Sequence, residues 1–284
     1  TCYRKHGTNT TVTMIDDLKN MGYKYSTLAS VSFSIFDLTE AKEREQMIEE
    51  TDKIGAKAFY GVSTLKTITL PDEVISIGDS AFYNCDLLNS VTFNDGLQTI
   101  GNYAFYDCDG IKTIDVHNRG VVGDQAFYGC KNLVRVILPD TLTDIRDLAF
   151  GNCVSLESIV LPKSLINVGK SIFYGCKKLT NISIDRANKR LYAVNNAIMD
   201  RKKNKLVYGF VDESTTDYSI PDGVNIIGKY ALAYNEQLVS IHIPNSVQVI
   251  EDFAFEGCSS LTAVTAPNLI TIGKSAFEGC TALS

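Results

Sequence analysis

The strongest constraint on this chain is a recurrence. Ala-Phe, or a near variant of it, falls at Phe59, Phe82, Phe105, Phe127, Phe150, Phe173, Leu232, Phe255 and Phe277. Successive steps are 22 or 23 residues, except for one of 59, which equals a 23-residue repeat plus 36 inserted residues. Around each aromatic the same frame returns: Ile77-Gly78, Ala81-Phe82, Cys85, Leu88, Val91 and Phe93, with Leu97 and Ile100 opening the next unit. A fixed period of this length marks a solenoid, in which each unit buries its apolar side chains only when a neighbour covers them. An isolated unit should not fold.

Within a unit, Leu133-x-x-Val136-x-Leu138 and Leu156-x-x-Ile159-x-Leu161 end in the period-two alternation of a short strand with one face buried. Those strands are expected to stack in parallel. Pro71, Pro139, Pro162, Pro221, Pro244 and Pro267 follow strand patterns, where a missing N–H ends a ladder without orphaning a partner. Asp or Asn then supplies turn chemistry, as in Pro139-Asp140 and Pro244-Asn245. A second extended piece, Val74 to Ile77 or Leu97 to Ile100, leads into the glycine and the Ala-Phe. The predicted fold is a right-handed repeat coil of nine 22- or 23-residue units with a parallel β-sheet along one face.

Seven of the eight cysteines, Cys85, Cys108, Cys130, Cys153, Cys176, Cys258 and Cys280, lie three residues after the repeat aromatic and so form a column. Parallel side-chain vectors on turns about 4.8 Å apart hold Cβ atoms wider than the ~3.8 Å a disulfide prefers. Zinc needs four ligands converging on a point, which a straight row cannot supply. The remaining role is a free thiol acting as a small hydrophobe in a tight corner.

Composition narrows the function classes. Hydrophobic residues are 45% and charged residues 21%, ample for a core. The net charge is −6, the isoelectric point is about 5.2 and no run of five Lys or Arg occurs, so a nucleic-acid binder's electrostatic footprint is missing. The densest basic stretch, Arg201 to Lys205, reads as a solvated hairpin tip. No apolar stretch approaches the ~18 residues needed to span a bilayer. The opening residues, from Thr1, lack the apolar core of a signal peptide and leave room for an upstream segment.

Leu133-x-x-Val136-x-Leu138-Pro139-Asp140 with Ala149-Phe150-Gly151-Asn152-Cys153, recurring over residues 54–284, resembles the bacterial leucine-rich-repeat family typified by BspA-like surface proteins and Treponema-type repeats. The inserted residues, from about 185 to 220, also resemble an element of that family, with Asn188, Leu191-Tyr192, Ala197-Ile198-Met199-Asp200, Lys205-Leu206-Val207-Tyr208 and Tyr218-Ser219-Ile220-Pro221. Read residue by residue, this patch predicts a protruding β-hairpin, Ala197 to Met199 and Lys205 to Tyr208, across a polar turn at Arg201 to Asn204. The resemblance implies a non-catalytic protein, cell-surface or secreted, that binds a protein or glycan ligand.

Residues 1–53 share none of the repeat frame and form an expected α/β segment of their own. Val12, Ile15, Leu18 and Met21 keep helical spacing up to Gly22, Ser30 to Ile35 alternates like a strand, and Asp37 with Glu40 opens a charged helix from Thr39 to Asp52. Thr1-Cys2-Tyr3-Arg4, Gly7, Asp16-Asp17-Leu18-Lys19, Gly22-Tyr23-Lys24-Tyr25-Ser26-Thr27, Ser32, Ser34, Asp37-Leu38 and Glu49-Glu50 resemble a stretch of the bacterial RNA polymerase β′ subunit. That family's magnesium-binding Asn-Ala-Asp-Phe-Asp-Gly-Asp loop has no counterpart here, so nucleotidyl transfer is not implied. This resemblance implies a polymerase-associated protein carrying a repeat addition, with nucleic acid approached only through a polymerase complex.

A search for chemistry finds little. His6, His117 and His242 stand beside no Cys or Ser arranged as a nucleophile pair. Gly169-Lys170-Ser171 and Gly273-Lys274-Ser275 lack the upstream glycine of a phosphate loop. No catalytic, cofactor or metal site is expected. Surface remains. The residues alternating with the buried ones, among them Arg135/Ile137, Ser158/Val160, Asn181/Ser183 and Ser240/His242, are expected to line one continuous face. Arg135, Ile137 and Val160 are the leading contact candidates there, joined by Ser158, Asn181 and His242, with Tyr192 and Tyr208 of the hairpin as an aromatic alternative.

Overall fold

The structure is a computed structural model that describes residues 52–117, 119–212 and 214–284. The helices and strand expected within residues 1–51, and His6, lie outside them. Among the described residues the chain is a parallel-strand β-solenoid of about nine turns without a helix. Each coil contributes two short strands. One set, Lys53–Ile54, Ser76–Ile77, Thr99–Ile100, Val121–Val122, Asp144–Ile145 and Asn167–Val168, makes a six-stranded sheet whose register advances one repeat at a time, Ser76 opposite Thr99 and Thr99 opposite Val121. The other set includes Thr113–Asp115, Arg135–Ile137, Ser158–Leu161 and Asn181–Ile184, again parallel. The ladder is already in place one residue before the expected boundary at 54, with Lys53 opposite Ser76.

The repeat aromatics superimpose as the spacing requires. Phe59, Phe82, Phe105, Phe127, Phe150 and Phe173 stack at centroid separations of 5.0, 4.9, 5.2, 5.5 and 6.1 Å, and all from Phe82 onward have no exposed surface. Stacking identical rings removes both faces from water at every step. Close approach of the coils demands glycine where backbone meets backbone: a Cβ at Gly101 would lie 2.7 Å from the carbonyl carbon of Gly78.

The cysteine column has a polar function beyond filling space. Each thiol donates to the carbonyl of the aromatic position one coil earlier, Cys108 Sγ to Phe82 O at 3.0 Å and Cys130 Sγ to Phe105 O at 3.2 Å. That oxygen already accepts from the amide of its own coil's cysteine, Cys85 N to Phe82 O at 3.2 Å, and the thiol of the next coil fills its second acceptor site. Cys258 does the same for Leu232 O at 3.1 Å, so the device survives where leucine replaces phenylalanine. The seven thiols are free.

Two residues per coil adopt the left-handed conformation, for example Ser80 (φ 56°) and Asn84 (φ 55°), or Leu148 (φ 54°) and Asn152 (φ 53°). They fold the Ala-Phe segment into a tight corner. The second position is legible in the sequence, because Asn84, Asp107, Gly129, Asn152, Gly175, Gly257 and Gly279, each directly before a cysteine, are the residue types that tolerate this region. Leu148 and Phe253 at the first position are not.

The insertion departs from expectation. The predicted pair is present as Ala197–Asp200 against Lys205–Gly209, but a third strand, Leu191–Val194, precedes it and pairs antiparallel with Ala197–Asp200. Nor does the element protrude. Lys205 and Leu206 pair in parallel with Ile226 and Ile227, so the insertion is built into the stack and starts the sheet that Val249–Ile250 and Thr271–Ile272 continue. Every residue from Ala197 to Asp200 is buried. Alternation explains this: Ile198 belongs to the core that runs from Leu70 to Phe210, and Ala197 and Met199 to a second core that runs on to Ala276. The strand is a septum with a hydrophobic centre on each side.

Candidate ligand-binding face

Period-two alternation aims Arg135 and Ile137 outward around buried Val136, and Ser158 and Val160 outward around buried Ile159. Arg135 is in register with Thr113 on one side and Ser158 on the other, which sets Val160 across from Ile137. Val160 is 60% exposed and Ile137 42%. The result is an apolar pair on rigid backbone beside a guanidinium fork. Asn181, in register with Ser158, extends the same sheet and is exposed.

Three expected members stand apart. His242 is exposed on Ser240–His242, which belongs to a different sheet, made with Asp217–Ser219 and Ala263–Thr265. The face is therefore interrupted after Asn181. The physical reason is Asn196, which covers the open strand edge: its Nδ2 donates to Thr180 O at 3.0 Å, and Ile182 N donates to its Oδ1 at 3.2 Å. Tyr192 is half-buried, with the Arg201 guanidinium 4.7 Å from its ring centroid. Tyr208 is interior, 6% exposed and edge-on to Phe173 at 6.0 Å, so it cannot serve as a surface contact. Burial drives its hydroxyl pKa strongly upward, and a hydrogen bond from the Phe173 backbone acts against that shift.

His117 sits between two carboxylates, Nδ1 2.9 Å from Asp95 Oδ1 and Nε2 3.5 Å from Asp115 Oδ1. The hydrogen bond to Asp95 raises its pKa, an effect opposed by desolvation and reinforced by Asp115. Among the described residues, no group of three or more His, Cys, Asp or Glu is placed to hold a metal ion. The Cys130 and Cys176 thiols are pushed up to about 12 by burial, the opposite of an activated nucleophile.

One surface feature escaped the sequence reading. Tyr60, Tyr83, Tyr106 and Tyr128 stack along a corner of the coils at 4.7, 4.7 and 5.0 Å. Burial first, and the nearby Asp107 second, push the Tyr106 hydroxyl up to about 12. The signal was available as Phe-Tyr at 59–60, 82–83, 105–106 and 127–128.

Against known proteins, a family model described as the BspA type leucine-rich-repeat region, in six copies, matches residues 31–119, 52–180, 118–197 and 207–284. The first of these begins inside the segment read as separate from the repeats. Among solved structures, the pneumococcal vaccine antigen PcpA is similar with a TM-score of 0.60 and 22% identity, covering 77% of this chain and 61% of that one. A leucine-rich-repeat protein from Eubacterium ventriosum is similar with a TM-score of 0.56 and 26% identity, covering 82% of this chain and 56% of that one. The chain thus spans less than two thirds of both. Over 55 residues it is also 40% identical to the RNA polymerase β′ subunit of Caldanaerobacter subterraneus, a match to 19% of this chain and 5% of that subunit.

Proposed function

Since the chain belongs to the BspA-type leucine-rich-repeat family, a family and fold generally non-catalytic and consistent with protein binding, we propose that it binds a protein or glycan partner at the cell surface through the face carrying Arg135, Ile137, Ser158, Val160 and Asn181. One observation supports this reading above the rest: Ile137 and Val160 are adjacent, exposed and apolar beside Arg135, on strands whose opposite side chains are locked in the core. A rigid surface loses little entropy on association. Apolar and Arg anchors near the centre of a patch carry most of an interface's energy.

The test is a screen of the purified chain against arrayed extracellular proteins and glycans, repeated with Val160→Glu and Arg135→Ala. Binding that falls about 30-fold or more in Val160→Glu, as expected for loss of a hot spot of about 2 kcal/mol, with an unchanged unfolding midpoint, supports the reading. A ligand whose affinity ignores both substitutions sinks it. Surface location is checked separately by protease shaving of intact cells.

A second reading rests on the 40% identity over 55 residues to polymerase β′. In it, residues 1–53 form a unit of their own and the chain associates with polymerase. Recovery of the chain in purified polymerase supports this alternative, and its absence there with exposure on intact cells removes it.

A further inference from the structure

The break between the two cores leaves a strand edge without a ladder partner. Asn167–Val168 is the last strand of its six-stranded sheet. In the coil before it, Thr143 O accepts from Ile166 N at 2.8 Å and Asn167 N at 3.1 Å, and Ile145 O accepts from Gly169 N at 2.8 Å. One coil further on, no such bond reaches Ile166 O or Val168 O among the described residues, because the chain turns away. Arg190 N and Leu191 N donate instead to Asn188 Oδ1, at 2.9 and 2.7 Å. The strand edge faces a cleft of about 340 Å³ whose other wall includes Arg190, Lys205, Lys229 and Tyr230. Ser171 Oγ donates to Ala233 O at 3.3 Å, holding the two halves together beside Lys170.

The charges in this cleft are unevenly satisfied. Asp200 is engaged by Lys202 N, Lys203 N and Arg190, and Asp147 Oδ1 accepts from Lys170 N. Lys205 is paired with Glu251. The backbone N–H groups of Lys170 and Lys229 donate to Asp147 and Glu251, but their ammonium groups form no ion pair with a carboxylate among the described residues. Their ammonium nitrogens lie 4.9 and 5.3 Å from the same Tyr230 ring, hence within about 10 Å of each other. Two cations against one ring repel one another, and an anion nearby relieves that repulsion. Backbone acceptors in a row require N–H donors at strand spacing.

We propose that this cleft receives an extended acidic peptide segment of a partner protein. Its N–H groups pair with Ile166 O and Val168 O, continuing the parallel ladder by one strand, and a Glu or Asp side chain lies between Lys170 and Lys229. A cleft of this size falls within the range of about 300–1,000 Å³ that ligand sites occupy. The site is distinct from the strand face above, so either can fail without the other.

The probe is a labelled pentapeptide, Val-Glu-Val-Glu-Val with blocked termini, titrated by fluorescence anisotropy alongside its Gln analogue and a version N-methylated at alternate amides. The acidic peptide should bind at least tenfold more tightly than either. That preference should vanish in Lys170→Gln/Lys229→Gln and persist in Lys131→Gln/Lys163→Gln, which removes two cations elsewhere; both variants should keep the wild-type unfolding midpoint. Equal affinity for the Gln analogue, equal affinity for the N-methylated peptide, or equal loss in both double variants overturns the proposal.

Discussion

At the scale of single residues, the repeated cysteine is a hydrogen-bond donor placed where burial forbids its ionisation. A folded pKa raised above the unfolded value contributes stability that is complete below the unfolded pKa, near 9, and is lost as pH climbs towards the folded value of about 12. At pH 10 the loss is on the order of 1 kcal/mol for each of Cys130 and Cys176. Urea midpoints measured at pH 7 and pH 10 should therefore fall more steeply for the wild type than for Cys130→Ala/Cys176→Ala. Parallel curves for the two would mean those thiols ionise in the folded state. The sequence showed the column and its likeness to a small hydrophobe, but not the bond to the preceding aromatic's carbonyl. That bond depends on which atoms one coil presents to the next.

At the scale of elements, alternation made the strands of the repeats and both arms of the inserted hairpin legible. The third inserted strand was not read, although Asn195 and Asn196 (φ 47° and 58°) are the residues that a two-residue turn with left-handed geometry favours. Tyr208 shows why the insertion was misjudged as a projection. Tyrosine is favoured at interfaces, so one on a hairpin reads as surface until the packing on both sides is known. Its hydroxyl meets the Phe173 backbone where the next coil would otherwise have continued the ladder. Tyr208→Phe keeps the ring and removes that partner, and is expected to cost about 1–3 kcal/mol in chemical denaturation. A change below about 0.5 kcal/mol would show that the hydroxyl is dispensable.

At the scale of the whole molecule, the septum divides one repeat array into two cores, and nearest-neighbour coupling decides how damage spreads. Phe150→Ala opens a cavity inside the first core and should cost about 3–5 kcal/mol. Hydrogen exchange should locate the loss in the coils around Phe127, Phe150 and Phe173 and spare those around Leu232 and Phe255. Uniform loss of protection across both halves would mean that the septum transmits packing fully. Repeat period, strand alternation, turn chemistry and the outward aim of Arg135, Ile137 and Val160 were all determined by the sequence alone, because each depends on residues close together in the chain. The tertiary structure decided the break in the exposed face, the burial of Tyr208 and the unpaired edge at Ile166–Val168. Those follow from which coil the inserted strands pair with, a choice made by packing between residues far apart in sequence.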